Sequence, residues 1–327
     1  MSMLEQSPQI VTKESNLLAN AAILVAVIIC TFTPILMRFC QTEIGPDAII
    51  FNRYWIATTV LLLWHGLAAA RRFWIKSPNL SSQLDEEKSL AIPYTNQTIF
   101  LLLLSGSFLA AMSVLWSWSL TQTNVANSAL IHNFSIFFTT IVGWLFFKKR
   151  FHKNFLMGTA IAIGGMILLG LNDLKLETDN IQGDLVSLVS SMVFGAYLMT
   201  VERVRSQVSA DTTILWCYGL GVILTLPIAL INQEQLFPIS WQGWYGLILL
   251  GINGMLVHFL TIYSIQKLSA SFVALVFLLE PILTGMFAWW IFGETLAWLN
   301  LLAFAVILVG LYFAVSSPLV AIDFEDN

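Results

Sequence analysis

Charge is what this sequence has least of. Only 10% of its 327 residues are Asp, Glu, Lys or Arg, where soluble globular domains carry about a quarter, so a surface of ordinary water-facing polarity is excluded. Cysteine is scarce as well. Cys30, Cys40 and Cys217 are odd in number and lack metal-ligand spacing, which argues against both a disulfide framework and a zinc site; they read as small apolar packing residues. The first sixteen residues are largely polar, and no charged stretch leads into a short apolar run with a small-residue cleavage site, so no cleaved signal peptide is expected. A His-Glu-x-x-His zinc motif, a Gly-rich phosphate loop with Lys and a repeated Asp-rich diphosphate-metal motif are all missing. No catalytic residue, metal or cofactor is therefore expected. Nothing resembles the basic stripe that nucleic acid would require.

What the chain has is apolar length. Hydrophobic residues make up 57% of it, and they come in blocks close to the roughly 20 residues that cross a hydrocarbon core about 30 Å thick. Hydropathy predicts ten spans, near 17–38, 47–70, 98–120, 124–147 and 153–171, then 183–202, 211–231, 242–265, 268–292 and 296–316. Residues 1–16 and 317–327 are left as tails. The polar stretch 71–97, with Asp85-Glu86-Glu87-Lys88, reads as a solvated loop.

Charge then sets a direction. With the N-terminus cytoplasmic, 12 of the 15 Lys and Arg fall inside, Arg38 and Lys175 fall outside, and Arg53 lies within a span. Lys and Arg excess marks cytoplasmic loops. Both termini are thus expected in the cytoplasm, in a multi-pass protein of the plasma (cell inner) membrane. The net charge of −4 says little about partners, because charge sits between the spans.

The chain also repeats itself. A shift of 145 residues brings Gly106 onto Gly251, Ser119 onto Ser264, Ala129-Leu130 onto Ala274-Leu275, Trp144 onto Trp289 and Gly165 onto Gly310, all without a gap. A unit of five spans crosses an odd number of times, so its second copy enters from the opposite side. Inverted repeats of this kind underlie many secondary transporters, with the binding site near the midplane between the halves. The expected repeats are 17–171, including the loop 71–97, and 183–316.

At these residues the chain resembles the drug/metabolite transporter superfamily, in its ten-helix form with two EamA repeats. The second half carries the likeness: Ala274-Leu275-Val276, Glu280-Pro281, Trp290-Ile291-Phe292-Gly293-Glu294, and Gly310 in the last span. Arg53, in Phe51-Asn52-Arg53-Tyr54, is similar to the Arg often found in the family's second helix. The first half departs from the pattern, with Ser135-Ile136 and Lys148-Lys149 where Glu-Pro and Gly-Glu might be echoed, and Cys30-Thr31-Phe32-Thr33-Pro34 in the first span. The resemblance implies an all-α membrane transporter, and leaves the cargo open.

Candidate functional residues follow from what is costly in a membrane. Glu280 lies near the middle of its span, and intramembrane carboxylates face a cavity or pair with something. Burial disfavours the ionised form, which suits a proton carrier; a protonated Glu280 that only satisfies frayed backbone is the alternative. Pro281 cannot donate a backbone hydrogen bond and bends helices. Arg53 either contacts cargo or snorkels to the interface. As the lone Lys or Arg within a span it is too little to balance a phosphate-rich cargo. His132 and Asn133 in the fourth span, and Asn253 and His258 in the eighth, could relay protons or bind a solute, or simply bond between helices. Trp116, Trp118, Tyr197 and Tyr263 could line a cavity. Trp144, Trp289 and Trp290 sit at span ends as interfacial anchors, and His65 reads as packing. No nucleotide-binding domain is seen to drive pumping. The expected function is secondary or facilitated export of a small metabolite by alternating access, with or without protons. The alternative is a membrane scaffold or lipid-handling enzyme.

Overall fold

The computed structural model describes residues 7–74, 95–123, 125–145, 148–173, 181–205, 207–232, 235–292 and 297–316. Most of the loop expected at 71–97 and the expected C-terminal tail lie outside these residues, whereas residues 7–16 of the expected N-terminal tail and 71–74 of the expected loop are helical, continuing the apolar segments beside them. Among the described residues there is no β-strand; thirteen α-helices account for nearly all of them. In chain order they are α1 (Ser7–Cys30), α2 (Thr33–Cys40), α3 (Pro46–Trp74), α4 (Asn96–Gln122), α5 (Val125–His132), α6 (Ser135–Leu145) and α7 (Lys153–Asp173). The second half has α8 (Ile181–Val204), α9 (Ala210–Ile231), α10 (Trp241–Ile265), α11 (Ala270–Val276), α12 (Glu280–Phe292) and α13 (Trp298–Val315).

These helices make ten membrane-length segments, because α1 with α2, α5 with α6 and α11 with α12 each form one interrupted segment. Nine described stretches are long and apolar enough to cross a bilayer. The tenth segment, α3, is 29 residues long; Asn52, Arg53 and His65 lower its hydropathy. Helix starts follow local chemistry. Ser209, Ser240 and Ser269 cap α9, α10 and α11 by accepting the amides of Thr212, Gly243 and Phe272, which satisfies donors that a helix N-terminus leaves open.

Packing exchanges partners between the halves. α4 lies along α8 while α1 lies along α10; α9 packs on α4 while α3 packs on α10; α3 meets α9 and α7 meets α13 directly. Each pairing has its mirror when the five segments of the first half are matched in order to the five of the second, so the protein is an all-α polytopic membrane protein built of two inverted five-helix repeats. Glycines permit the closest approaches. A Cβ on Gly158 would lie 2.5 Å from the Gly310 carbonyl oxygen, and one on Gly310 would lie 2.4 Å from the Ala162 amide nitrogen. Without side chains there, α7 and α13 meet backbone to backbone, as small residues allow between membrane helices.

The interruptions are the feature that positions the site. α5 ends at His132 and α6 begins at Ser135, while α11 gives way to a 3-10 turn over Phe277–Leu279 before α12. Shifted by 145 residues, 132–134 falls on 277–279, so the two repeats break at the same place. Pro281 accounts for the break at 277–279, since it cannot bond back to Phe277; the Glu280 amide takes that carbonyl instead. The first span also breaks, at Thr31 and Phe32, just ahead of Pro34.

Candidate functional site

All three breaks open onto one cavity at the centre of the bundle. It is lined by Cys30 and Thr33 from the first break, His132 and Asn133 from the second, and Phe277 and Glu280 from the third. Arg53, Met112, Trp116, Phe194, Val257 and His258 complete the wall. Irregular backbone at membrane depth is tolerated where it is buried in protein or lines a cavity, and each break is repaired. Asn253 donates to the Ile29 carbonyl at 2.8 Å and accepts from Thr33 Oγ1 at 2.8 Å. Thr31 Oγ1 covers the Ile28 carbonyl. Asn133 Nδ2 reaches both its own helix, at Ala129 O, and Glu280 Oε2, at 2.9 and 3.2 Å.

Six of the eleven residues singled out from sequence line this cavity: Arg53, Trp116, His132, Asn133, His258 and Glu280. Glu280 and Arg53 are each 4% exposed. That burial leaves Arg53 no snorkelling route to the interface. Its guanidinium rests on the bare backbone of Gly254, where a Cβ would lie 2.3 Å from Nε, and it is within hydrogen-bond reach of Tyr218. Among the described residues, neither Arg53 Nε nor Trp116 Nε1 has a hydrogen-bond partner. His258 Nδ1 lies 2.9 Å from both the Tyr218 hydroxyl and the Gly254 carbonyl oxygen. His132 is stacked between Trp116 and Phe194, with centroids 5.0 and 5.2 Å away.

The other five fall elsewhere. Asn253 repairs the first break from outside the cavity lining. Tyr197 continues the aromatic column from Phe194 at 5.9 Å. Pro281 shapes the third break, and half-buried Trp118 and Tyr263 do not reach the cavity. Sequence reasoning missed Cys30, Thr33, Met112, Phe194, Val257 and Phe277 as lining residues. Pro34, inside an apolar run, signalled the first of these groups. His65 bonds the Leu61 carbonyl oxygen of its own helix, and Trp144, Trp289 and Trp290 are exposed at helix ends.

The cavity is narrow, with about 30 Å³ of water-accessible space. A water needs roughly 10–15 Å³ by that measure, so an organic solute enters only if helices part. Both ends of the bundle are clasped. At the end bearing Lys149, its ammonium meets Glu202 Oε1 at 2.6 Å, and Arg205 lies 3.6 Å from the same oxygen while donating to the Ile265 and Leu268 carbonyls. At the opposite end Glu43 accepts from the amide and hydroxyl of Ser240. There Asp47 also accepts from Asn232, at 2.6 Å.

The EamA-like transporter family matches this chain twice, over residues 17–171 and 181–316. The chain belongs to the EamA-like transporter family. It is 20% identical over 284 residues to an uncharacterized transporter of Archaeoglobus fulgidus, covering 85% of this chain and 90% of that one. An uncharacterized solute carrier family 35 member of Schizosaccharomyces pombe is 25% identical over 202 residues, 58% of this chain and 39% of the relative's length. An uncharacterized transporter of Haemophilus influenzae is 30% identical over 148 residues, 43% of this chain and 82% of its own. A solved crystal structure shares the fold at a TM-score of 0.67 and 12% identity, over 90% of this chain and 96% of that one. As an EamA-like protein, the chain is an integral multi-pass membrane transporter.

Proposed function

We propose that this EamA-like protein moves a small organic metabolite outward, by secondary or facilitated transport, through alternating access between its two repeats. The supporting observation is the paired break. Equivalent helices of inverted repeats are interrupted at one level, and the interruptions face one buried polar cavity. Discontinuous helices at a repeat interface are where transporters of this design bind cargo. Release of the Lys149–Glu202 clasp would open the cavity to one side, and release of the Glu43–Ser240 clasp to the other. The Lys and Arg bias supports a cytoplasmic Lys149 end and cytoplasmic termini. Within this reading Glu280 carries the coupling proton, and Arg53, His132, Asn133 and His258 orient the solute. Uncoupled flux is the second reading, favoured by the Asn133 bond that ties Glu280 to helix repair.

The test has two arms. Metabolite profiles of cells with and without the protein should show solutes depleted inside and enriched outside; no difference across a broad panel would overturn transport. For the solute so found, Glu280→Gln in reconstituted vesicles should abolish the pH dependence of flux. An unchanged rate and pH profile would remove the coupling role and leave facilitated transport.

A further inference from the structure

A second cavity lies away from the centre, on the outer surface between the end of α6 and the start of α7. It offers about 470 Å³ of water-accessible space and is lined by Thr140, Ile141, Trp144, Arg150, Phe151 and Leu156. Its chemistry is divided. Five of these residues present hydrocarbon, aromatic ring or a threonine methyl, and one is a cation. Trp144 is 63% exposed, at a helix end where indoles settle at headgroup level.

The connecting strand explains why the cation is there. Lys148 takes a left-handed conformation, with φ 50°, and the Lys149 amide bonds back to the Gly143 carbonyl. That turn sends Lys149 inward to Glu202 and leaves Lys148 and Arg150 on the outside. Phe151 packs on Gly143 and stacks on Phe155 at 5.3 Å, so the turn is anchored from below. His152 and Lys153 are exposed as well. Four basic side chains thus surface within six residues, beside a largely apolar groove on the outer surface.

We propose that this pocket binds one anionic phospholipid, its phosphate at the cluster of Lys148, Arg150, His152 and Lys153 and its acyl chain along Ile141, Trp144 and Leu156. Charge complementarity selects the lipid. Basic pockets between membrane helices on the cytoplasmic side attract anionic headgroups, whereas a zwitterionic headgroup brings a cation of its own to the cluster. A soluble anion would use Arg150 and leave the apolar wall unfilled. The seat also touches the clasp, because Lys149 belongs to the same turn; a bound lipid steadies the strand that closes this end.

Native mass spectrometry of the delipidated full-length protein, titrated with phosphatidylglycerol or phosphatidylcholine, tests the proposal. One phosphatidylglycerol should bind at a concentration at least tenfold lower than phosphatidylcholine. Arg150→Gln with Lys153→Gln should erase that preference. Ile141→Trp with Leu156→Trp, which fills the groove and keeps every charge, should also abolish the first binding event. Inorganic phosphate at millimolar levels should not compete. Equal binding of the two lipids, or a preference that survives the groove-filling variant, would overturn the proposal. Displacement by phosphate alone would overturn it too, leaving a simple anion site.

Discussion

The side-chain amide of Asn133 donates to the carboxylate of Glu280 at 3.2 Å, across 147 residues of sequence. The bond joins the broken fourth segment to the broken ninth, one from each repeat.

Asn133→Leu removes the donor while keeping the volume. A buried acceptor left without its partner costs about 1–3 kcal/mol. The variant should therefore unfold at lower temperature in detergent, and Glu280→Met in the same chain, which removes the acceptor as well, should recover part of the loss. A double variant whose loss equals the sum of the two single losses would show that the residues are not coupled.

Lys149 and Glu202 are a buried pair, and removing one partner leaves the other charge uncompensated, at about 3–5 kcal/mol. Lys149→Met should be strongly destabilising, and Lys149→Met with Glu202→Leu much less so. If the clasp closes its end of the bundle, single cysteines placed on α8 near Val204 should react faster with a water-soluble thiol reagent in the Lys149→Met protein than in its parent.

Gly310 faces backbone atoms that cannot move aside. Gly310→Ala places a Cβ 2.4 Å from the Ala162 nitrogen and 2.6 Å from the Gly158 oxygen. Overpacking of this kind costs about 1–3 kcal/mol, so the variant should lose folded yield by fluorescence-detected gel filtration. Gly66→Ala, which meets nothing within 4 Å, should behave as wild type.

Glu43 lies in the turn outside the spans, where the Ser240 hydroxyl and then its amide hold the carboxyl below the ordinary glutamate value. A depressed folded pKa contributes stability that is complete above the unfolded value, about 4.3, and is lost as pH falls through the lower folded one. Glu43→Gln should flatten the fall in thermal stability between about pH 5 and pH 3. A variant that keeps the same acid profile would show that another carboxylate sets it.

Much of the fold was legible because hydropathy is a local property. Ten segments and the inverted repeat could be read from block lengths and from identities such as Gly165 with Gly310. Glu280, Arg53, His132 and Asn133 stood out for the same reason: a polar group in an apolar run is costly wherever the chain goes. Pro281 marked one of the three breaks in advance, and Pro34, just inside the first, carried the same signal unread. The break at Asn133 and Phe134 has no proline and was invisible; there the Asn133 side chain bonds both the Ala129 carbonyl oxygen of its own helix and Glu280 of the other repeat.

What the sequence by itself determined is therefore the kind of protein, its segments and its pseudo-symmetry. Tertiary structure alone decided which polar groups meet. Phe194 and Met112 line the cavity while Trp118 and Tyr263 do not, and Asn253 serves backbone repair. The turn at Lys148 decides that Lys149 goes inward and Arg150 outward. The physical reason is one of range: hydrophobicity and helix propensity act residue by residue, whereas helix crossing and the few ångströms allowed by Gly158, Gly254 and Gly310 set which distant side chains come within bonding distance.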